Sequence, residues 1–369
     1  MGPNDEFYVG REQTYIKHLF LTRYLQDAAF KTFQSRSPVF NFVDGFAGPW
    51  SVKDENDLSD TSFYQSIEVL RNVRQALGKR GVAGLRTRFH FCERNPAAFE
   101  SLRRFADQQS GLEINLYHGD FEDHLGEIAE NCRDGFTFTF IDPTGFNVRS
   151  IEIARFLGKM RGEFLLNFMS EHINRYPDFD AVAGAYGNLL ADPQWRAKFD
   201  ALPSSTKNEL RVLSILKDRL MELGAAKHMP DIQIMNPAKN RVQMRLVLGT
   251  NSRHGVEVFR NTHRSVEKRE IEMRDQIASA EPTLFSKGDL AALQQNTVGF
   301  GCRHQRTLAR DQVVEILKKN SSVPFSELIA PVLSEAAVSV SNLKDIVVEL
   351  KNSGTLTYEL AQLVPKTEL

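Results

Sequence analysis

The sequence predicts a doubly wound α/β fold, in which parallel strands alternate with helices that cover the sheet. Short apolar runs of strand length recur along the chain, and segments with helical spacing separate them. Acidic residues follow several of these runs, at the strand ends where an open α/β sheet binds its ligands. Seven runs are expected to form strands: residues 39–43, 87–92, 112–117, 135–141, 162–169, 232–235 and 242–248.

The run Val39–Val43 and the turn after it form the most informative stretch. Four of its five residues are apolar, which favours a central strand buried on both faces. Asp44 follows, and then a turn containing Gly45 and Gly48. Such a turn lets backbone N–H groups approach a ligand, while the acid can hold a cationic group, so an amino-acid-bearing nucleoside would suit the site. The glycine spacing matches neither a P-loop nor a dinucleotide fingerprint, and a plain strand-to-helix turn is the alternative.

Length and composition are those of an ordinary globular protein. The 369 residues, 41% hydrophobic and 25% charged, suffice for one large domain or two ordinary ones. A net charge of −1 gives no global basic field, so any contact with nucleic acid must come from a local patch. The three cysteines lie far apart without metal-ligand spacing, and no apolar run reaches the roughly 18 residues of a membrane span. We therefore expect a cytoplasmic protein without a metal site or a membrane segment.

The second predicted strand ends at Glu93, with Arg94 next to it. A ribose presents two adjacent hydroxyl donors, which the two oxygens of a carboxylate match. Glu93 is therefore expected to bind a ribose. The alternative is a solvated surface acid.

The segment Asp44–Pro49 resembles the first motif of the class I S-adenosylmethionine-dependent methyltransferases. More narrowly, it is similar to the three-Cys-motif partner family (TcmP), a methyltransferase-like bacterial group that often has Gly where this chain has Trp50. The resemblance implies a seven-stranded Rossmann-like methyltransferase sheet that binds S-adenosylmethionine. The expected cofactor-binding residues are Asp44, Gly45, Phe46, Ala47, Gly48, Glu93, Arg94, Asp120, Phe121 and Asp142.

The ends of the third and fourth strands acquire roles from this resemblance. In the resembled enzymes an acid after the third strand bonds the adenine amino group and the next apolar side chain stacks on the base, which here are Asp120 and Phe121. Asp120 could equally cap the helix expected over residues 121–130. After the fourth strand, Asp142-Pro143-Thr144 is the predicted catalytic turn, since an Asp-Pro turn beside the sulfonium can align a nucleophile with the methyl group.

Three side chains outside these motifs have alternative roles. The helical spacing of residues 11–34 predicts a helix packed on the sheet, while the TcmP resemblance suggests that Lys17 or Tyr15 lies over the cofactor. His172, after the fifth strand, is expected to be a structural histidine rather than a base. Related chains tend to have an aromatic residue where Thr144 stands, so stacking of a flipped base is not predicted there.

The organisation of the chain follows from these segments. We predict an N-terminal helical segment (1–35), a methyltransferase-like domain (36–285) with a helical insertion at about 174–228 that covers the active edge, and a winged-helix-like domain (300–369) that contacts DNA or protein. Residues 236–269 are rich in Lys and Arg and could meet phosphates, or could form a solvated helix face. The candidate substrate residues in this stretch are Lys239, Arg241, Arg253 and Arg260.

The sequence is compatible with two functions. The first is an S-adenosylmethionine-dependent methyltransferase with nucleic acid as its acceptor. The second is a methyltransferase-like partner protein that binds the cofactor, or a three-Cys-motif protein, within a complex and does not catalyse on its own; Trp50 and Thr144 favour it. A nucleotide-dependent dehydrogenase fits less well, because the glycine spacing is wrong. The sequence does not predict an oligomeric state.

Overall fold

The seven predicted strands all form, each within one residue of its expected bounds. The computed structural model describes residues 3–34, 38–48, 58–143, 145, 148–175, 183–237, 239, 241–278, 299–320 and 322–357. Its strands are β1 (Val39–Asp44), β2 (Arg86–Glu93), β3 (Glu113–His118), β4 (Phe136–Ile141), β5 (Gly162–Phe168), β6 (Asp231–Met235) and β7 (Val242–Gly249).

The strands form one sheet in the order β3-β2-β1-β4-β5-β7-β6. Strands β1 to β5 pair in parallel, and β7 runs antiparallel to both β5 and β6. The order reverses between β1 and β4, which is the switch point where open α/β sheets place their ligands. The predicted doubly wound, seven-stranded sheet is therefore confirmed.

Helices cover both faces of this sheet. They are α1 (Glu12–Gln34), α2 (Ser62–Gly78), α3 (Pro96–Asp107), α4 (Leu125–Asn131), α5 (Ser150–Lys159), α6 (Ser170–Arg175), α7 (Ala183–Leu190), α8 (Trp195–Ala201), α9 (Asn208–Glu222), α10 (Arg253–Ala278), α11 (Arg303–Lys319), α12 (Phe325–Glu335) and α13 (Val340–Asn352). Side-chain N-caps precede α2 and α3: the Thr61 hydroxyl accepts from the N–H of Tyr64, and the Asn95 side chain accepts from two backbone N–H groups.

The period-2 alternation of β1 divides the core between the two faces. Phe40 and Phe42 point into one hydrophobic cluster together with residues of α1, α2 and α10. Val43 points into the opposite cluster, which α5 and α9 cover. Apolar side chains therefore cover both faces of the sheet. The ends of the strands remain as the place where polar side chains can gather.

The helical segment after β5 has a different role from the predicted one. We expected residues 174–228 to cover the active edge of the sheet, but α7, α8 and α9 pack their apolar residues into the same cluster as β5 and α5. Trp195 and Phe199 of α8 and Leu216 of α9 are buried there. These helices therefore form part of the layer on one face.

The last helices form a third hydrophobic cluster. It contains Val313 of α11, Leu333 of α12 and Leu343 of α13, together with Val256 of α10. Helix α11 begins at Arg303 and α12 at Phe325. Residues 354–357 form no strand and residues 358–369 lie outside the described part of the chain, so the winged-helix-like domain stays a prediction. Within the described part of the chain, no helix has both the length and the apolar run that a membrane span requires.

Candidate functional site

A cavity of about 190 Å³ opens at the carboxyl ends of β1, β2, β3 and β4. We refer to it as the edge cavity. Its walls come from the turn after β1, the end of β2, the turn after β3 and the segment after β4. The residues that line it are Gly45, Phe46, Cys92, Glu93, Arg94, Gly119, Asp120, Phe121, Pro143, Gly145 and Val148. The structure thus brings together seven of the predicted site residues.

The turn after β1 is fixed to its neighbours by backbone hydrogen bonds. Gly45 N–H donates to the carbonyl of Phe140 over 3.1 Å, and Ala47 N–H donates to that of Cys92 over 2.8 Å. A Cβ at Gly45 would lie only 2.8 Å from the ring of Phe121. Glycine is therefore required for the turn and this ring to pack together, which makes a closely fitting wall.

Asp44 lies beneath this turn and does not line the edge cavity. One of its carboxylate oxygens accepts from the N–H of Phe46 over 3.1 Å, and the other accepts from the hydroxyl of Ser62 over 2.6 Å. The side chain ties the turn to the start of α2, and the contact of Asp44 with a cationic ligand group stays a prediction.

Burial raises the pKa of Asp44 to about 7, although the hydrogen bonds from Ser62 and Phe46 act in the opposite direction. The unfolded chain loses this proton near pH 4, so the folded state binds more protons between pH 4 and 7 and stability falls as pH rises across that range. Asp44→Asn removes the titration. We expect the variant to gain on the order of 2 kcal/mol in unfolding free energy relative to the wild type between pH 5 and pH 8.

Urea unfolding of both proteins at the two pH values measures this gain. The comparison isolates Asp44 because Glu270, whose pKa burial also raises to about 7, contributes equally to both proteins. A stability difference that stays constant from pH 5 to pH 8 would show that Asp44 does not titrate in this range.

Glu93 is buried at the end of β2 and lines the edge cavity. Its Oε1 accepts from the N–H of Asn95 over 2.5 Å. Burial raises the pKa of Glu93, while the backbone N–H groups of Asn95, Arg94 and Gly48 oppose that rise. The alternative of a solvated surface acid is wrong, because the side chain is held at the wall of the cavity.

The segment after β3 differs from the predicted helix. Residues Phe121–Asp123 form one turn of 3₁₀-helix, α4 follows it, and the side chain of Asp120 caps neither. The Asp120 side chain is 55% exposed and lies 4.0 Å from the guanidinium of Arg94. The ring of Phe121 is buried edge-on against Phe46 and Phe156. Asp120 therefore presents a partly exposed carboxylate to the cavity, with Arg94 beside it.

Asp142, at the end of β4, is held from two sides. Lys17 of α1 donates to its Oδ2 over 2.5 Å, and Asn167 of β5 donates to its Oδ1 over 2.6 Å. Pro143 lines the edge cavity, whereas Thr144 lies outside the described residues. Of the two residues suggested to lie over the cofactor, Lys17 is beside Asp142 at the site. Tyr15 is buried, with the guanidinium of Arg269 over its ring.

A second, smaller cavity adjoins the first. This apolar cavity, of about 40 Å³, shares Pro143, Gly145 and Val148 with the edge cavity. Side chains from α5, β5, α7 and α9 complete its walls, and Asn167 is among them. The turn after β4 therefore separates the edge cavity, which charged side chains line in part, from the apolar cavity.

The basic stretch does not form a single surface. Lys239 and Arg241 lie in the β6–β7 loop at the carboxyl edge, where Arg241 pairs with Glu171. Strand β7 is antiparallel to β5, so Arg253 lies after its far end, about 25 Å away at the amino edge. The prediction that Arg253 joins the same substrate contact is therefore wrong.

The prediction for Arg260 is wrong as well. This residue is 2% exposed, and its guanidinium donates to the carbonyls of Leu333, Ser334 and Asp231. It fastens α12 to α10 and the sheet. Arg245 is likewise mostly buried, where it pairs with Asp231, whereas Lys239, Arg264 and Lys268 are exposed.

Sequence reasoning missed several residues of the site. In the sequence, Asn167 is a single polar position in an apolar strand, and Ser62 is an ordinary residue of a first helical turn. Their roles depend on the partners Asp142 and Asp44, which are remote in the chain. The other missed residues line the edge cavity and are Cys92, Gly119, Gly145 and Val148. The side chain of His172 and all of Trp50 lie outside what the structure describes. No group of His, Cys, Asp and Glu among the described residues is placed to hold a metal ion.

Comparison with known proteins finds only remote similarities, and these concern the fold. No protein-family model matches the chain, and no curated protein matches it. Among solved structures it is similar to protein LPL1258 from Legionella pneumophila, with 14% identity over 65% of this chain and 85% of that one and a TM-score of 0.39.

Two further structures are more distant. The cyclopropane synthase MmaA2 from Mycobacterium tuberculosis shares 8% identity over 67% of this chain and 70% of its own, with a TM-score of 0.29. Human methyltransferase-like protein 13, in complex with SAH, shares 11% identity over 56% of this chain and 91% of its own, with a TM-score of 0.26. At these levels the likenesses carry no conclusion about function, and the functional case rests on the site itself.

Proposed function

We propose that this protein is an S-adenosylmethionine-dependent methyltransferase that acts on nucleic acid. The observation that carries the proposal is the buried carboxylate of Glu93 in the wall of a cavity at the switch point of the sheet. A ligand there meets glycine backbone at one side and acidic side chains at the other. This combination suits a nucleoside that carries a cationic amino-acid chain.

The residues at the edge cavity fit the parts of that cofactor. Glu93 can accept hydrogen bonds from the ribose hydroxyls, and Asp120 is exposed to accept from an adenine amino group. The turn at Gly45 packs closely against the ring of Phe121, and the two together form one wall of the cavity, against which a flat ring can lie. When bound, S-adenosylmethionine supplies an electrophilic methyl group.

The turn after β4 is suited to hold the methyl acceptor. Methyl transfer needs mainly proximity and alignment in a site that excludes water. Lys17 and Asn167 fix the Asp142 carboxylate, and Pro143 separates the edge cavity from the apolar cavity. Asp142 can accept a hydrogen bond from the attacking group and orient it.

Nucleic acid as the acceptor is supported at one end of the basic stretch. Lys239 is exposed on the β6–β7 loop, and Arg241 beside it is 46% exposed at the carboxyl edge. Both stand on the same side of the sheet as Asp142, so they can reach phosphates that flank a base in the site. Arg253 and Arg260 take no part in this proposal.

Transfer of a labelled methyl group tests the proposal. The full chain is incubated with methyl-labelled S-adenosylmethionine and with unmodified RNA, denatured DNA or a mixture of unmodified proteins. We expect label in a nucleic acid, with salt weakening the reaction because Lys239 and Arg241 contact phosphates. Label confined to protein would overturn the acceptor class, and no label in any sample would overturn catalysis.

A further inference from the structure

We infer that the β6–β7 loop (residues 236–241) binds the phosphates of a single nucleic-acid strand, so that the acceptor of this protein is single-stranded. The inference rests on the proposed function and narrows its substrate class. It follows from the position of this loop beside the site and from the opposite charges at the two ends of the carboxyl edge.

Hydrogen bonds hold the backbone of the β6–β7 loop in place. The Asn236 side chain accepts from the N–H of Lys239 over 2.9 Å, and the N–H of Asn236 donates to the carbonyl of Arg241 over 2.9 Å. The Asn236 amide also donates to the side chain of Gln243 over 3.1 Å. Lys239 and Arg241 are therefore carried at fixed positions on a formed turn.

The loop rises above the end of the neighbouring strand. Phe168, the last residue of β5, pairs with Arg245 of β7, while β7 begins three residues earlier, at Val242. Three residues of antiparallel strand span roughly 10 Å, and two strand spacings separate β7 from β4 by roughly 10 Å more. The loop consequently stands beside and above Asp142. A stacked strand rises about 3.4 Å per nucleotide, so a short stretch of one backbone spans this gap.

Arg241 is oriented for a ligand from outside the protein. Its Nη2 contacts the carboxylate of Glu171, whose side chain is 9% exposed, while the Arg241 side chain is 46% exposed. A guanidinium has five N–H donors in a planar fork that matches a phosphate. Lys239 beside it is exposed. Since Glu171 offsets one of the two positive charges, the attraction for phosphate is local and modest.

The opposite end of the carboxyl edge has an excess of negative charge. After β3, residues 120–123 include Asp120, Glu122 and Asp123 but no Lys or Arg. Arg94 lies 4.0 Å from Asp120. Arg149 donates to Asp123 over 2.5 Å, and its backbone N–H donates to Glu122 over 2.9 Å. Both cations at this end already pair with carboxylates, so phosphates are attracted at the β6–β7 loop and repelled here.

This asymmetry suits one backbone and not two. A duplex with one backbone on the β6–β7 loop would bring its second backbone, across a major groove about 12 Å wide, towards the acidic end. A paired base would also have to leave its stack to reach the end of β4, which costs unpairing and unstacking energy. Two partly neutralised cations contribute little to offset that cost. A single strand meets neither obstacle.

The test uses three alanine variants of the full chain. Lys239→Ala and Arg241→Ala each remove one proposed phosphate contact. Arg253→Ala is the matched control, because the side chain of Arg253 is 38% exposed and pairs with Glu257 at the amino edge. Fluorescence anisotropy measures the binding of labelled RNA and DNA oligonucleotides of mixed sequence over a range of salt concentrations. Transfer from methyl-labelled S-adenosylmethionine is compared between each single strand and its duplex.

We expect the logarithm of the binding constant for a single strand to fall with the logarithm of salt concentration with a slope of about −1.4, as two phosphate contacts require. The slope should be shallower by about 0.7 in Lys239→Ala and in Arg241→Ala, and unchanged in Arg253→Ala. Transfer to the preferred single strand should be at least about tenfold faster than transfer to its duplex.

Equal or faster transfer to the duplex would overturn the inference. An unchanged slope in either loop variant, the same change in Arg253→Ala, or no binding of any oligonucleotide would also overturn it. Label confined to protein, or no binding of S-adenosylmethionine, would instead overturn the proposed function. The anisotropy measurement needs no cofactor and therefore tests the phosphate contacts separately.

Discussion

Replacing Glu93 by alanine is expected to abolish measurable binding of S-adenosylmethionine. The carboxylate is buried in the wall of the edge cavity, and one of its oxygens is already held by the N–H of Asn95. Hydrogen bonds from ribose hydroxyls to a charged group contribute about 1.5–3 kcal/mol each. Loss of the two bonds should weaken the affinity by at least about a hundredfold, which calorimetric titration measures directly.

Glu163 provides a matched control for this change. It is a buried glutamate on β5 at the amino edge of the sheet, where it accepts from Tyr24 and Thr250 over 2.6 Å each. Glu163→Ala should destabilise the fold because two hydroxyl donors lose their partner, yet it should bind S-adenosylmethionine as tightly as the wild type. If Glu93→Ala binds within about threefold of the wild type, the assignment of the ribose contact is wrong.

Replacing Asp142 by alanine should separate catalysis from binding. Asp142 directly precedes Pro143, which lines both cavities, and the proposed function assigns it the methyl acceptor. Its loss should lower the rate of methyl transfer by at least about a hundredfold. The affinity for S-adenosylmethionine should change by less than about tenfold, because Glu93 and Asp120 remain at the edge cavity. Single-turnover transfer and calorimetry report the two quantities separately.

Asp231 is the matched control for Asp142. Its side chain is 17% exposed, against 19% for Asp142, and it too is held by two partners, Lys217 at 2.5 Å and Arg245 at 2.7 Å. Asp231 pairs with Val247 near the amino edge, far from the edge cavity. Asp231→Ala should lose stability but not transfer rate, and equal loss of rate in both variants would reduce Asp142 to a structural ion pair.

The strands could be predicted because their signals are local. Val39–Val43 and the runs that form β2, β3 and β4 have the length and the acidic ends of buried parallel strands, and each forms as expected. The place of Glu93 in the site could be predicted for the same reason, since its position at a strand end already places it at the edge of the sheet. Such inferences need only neighbouring residues.

The supports of the site could not be predicted in this way. Lys17 meets Asp142 across 125 residues of sequence, and Asn167 meets it only because β5 lies beside β4. The antiparallel direction of β7 likewise sends Arg241 and Arg253 to opposite edges, which charge density along the chain does not reveal. Pairings of this kind depend on strand order and direction, which are set by packing across the whole sheet.

Calorimetric titration of the full chain with S-adenosylmethionine, its demethylated product and NAD tests the central claim most directly. The site predicts micromolar binding of the first two ligands, about −8 kcal/mol, and no heat of binding from NAD. Binding of NAD in preference to the other two, or of none of the three, would contradict the assignment of the edge cavity to this cofactor.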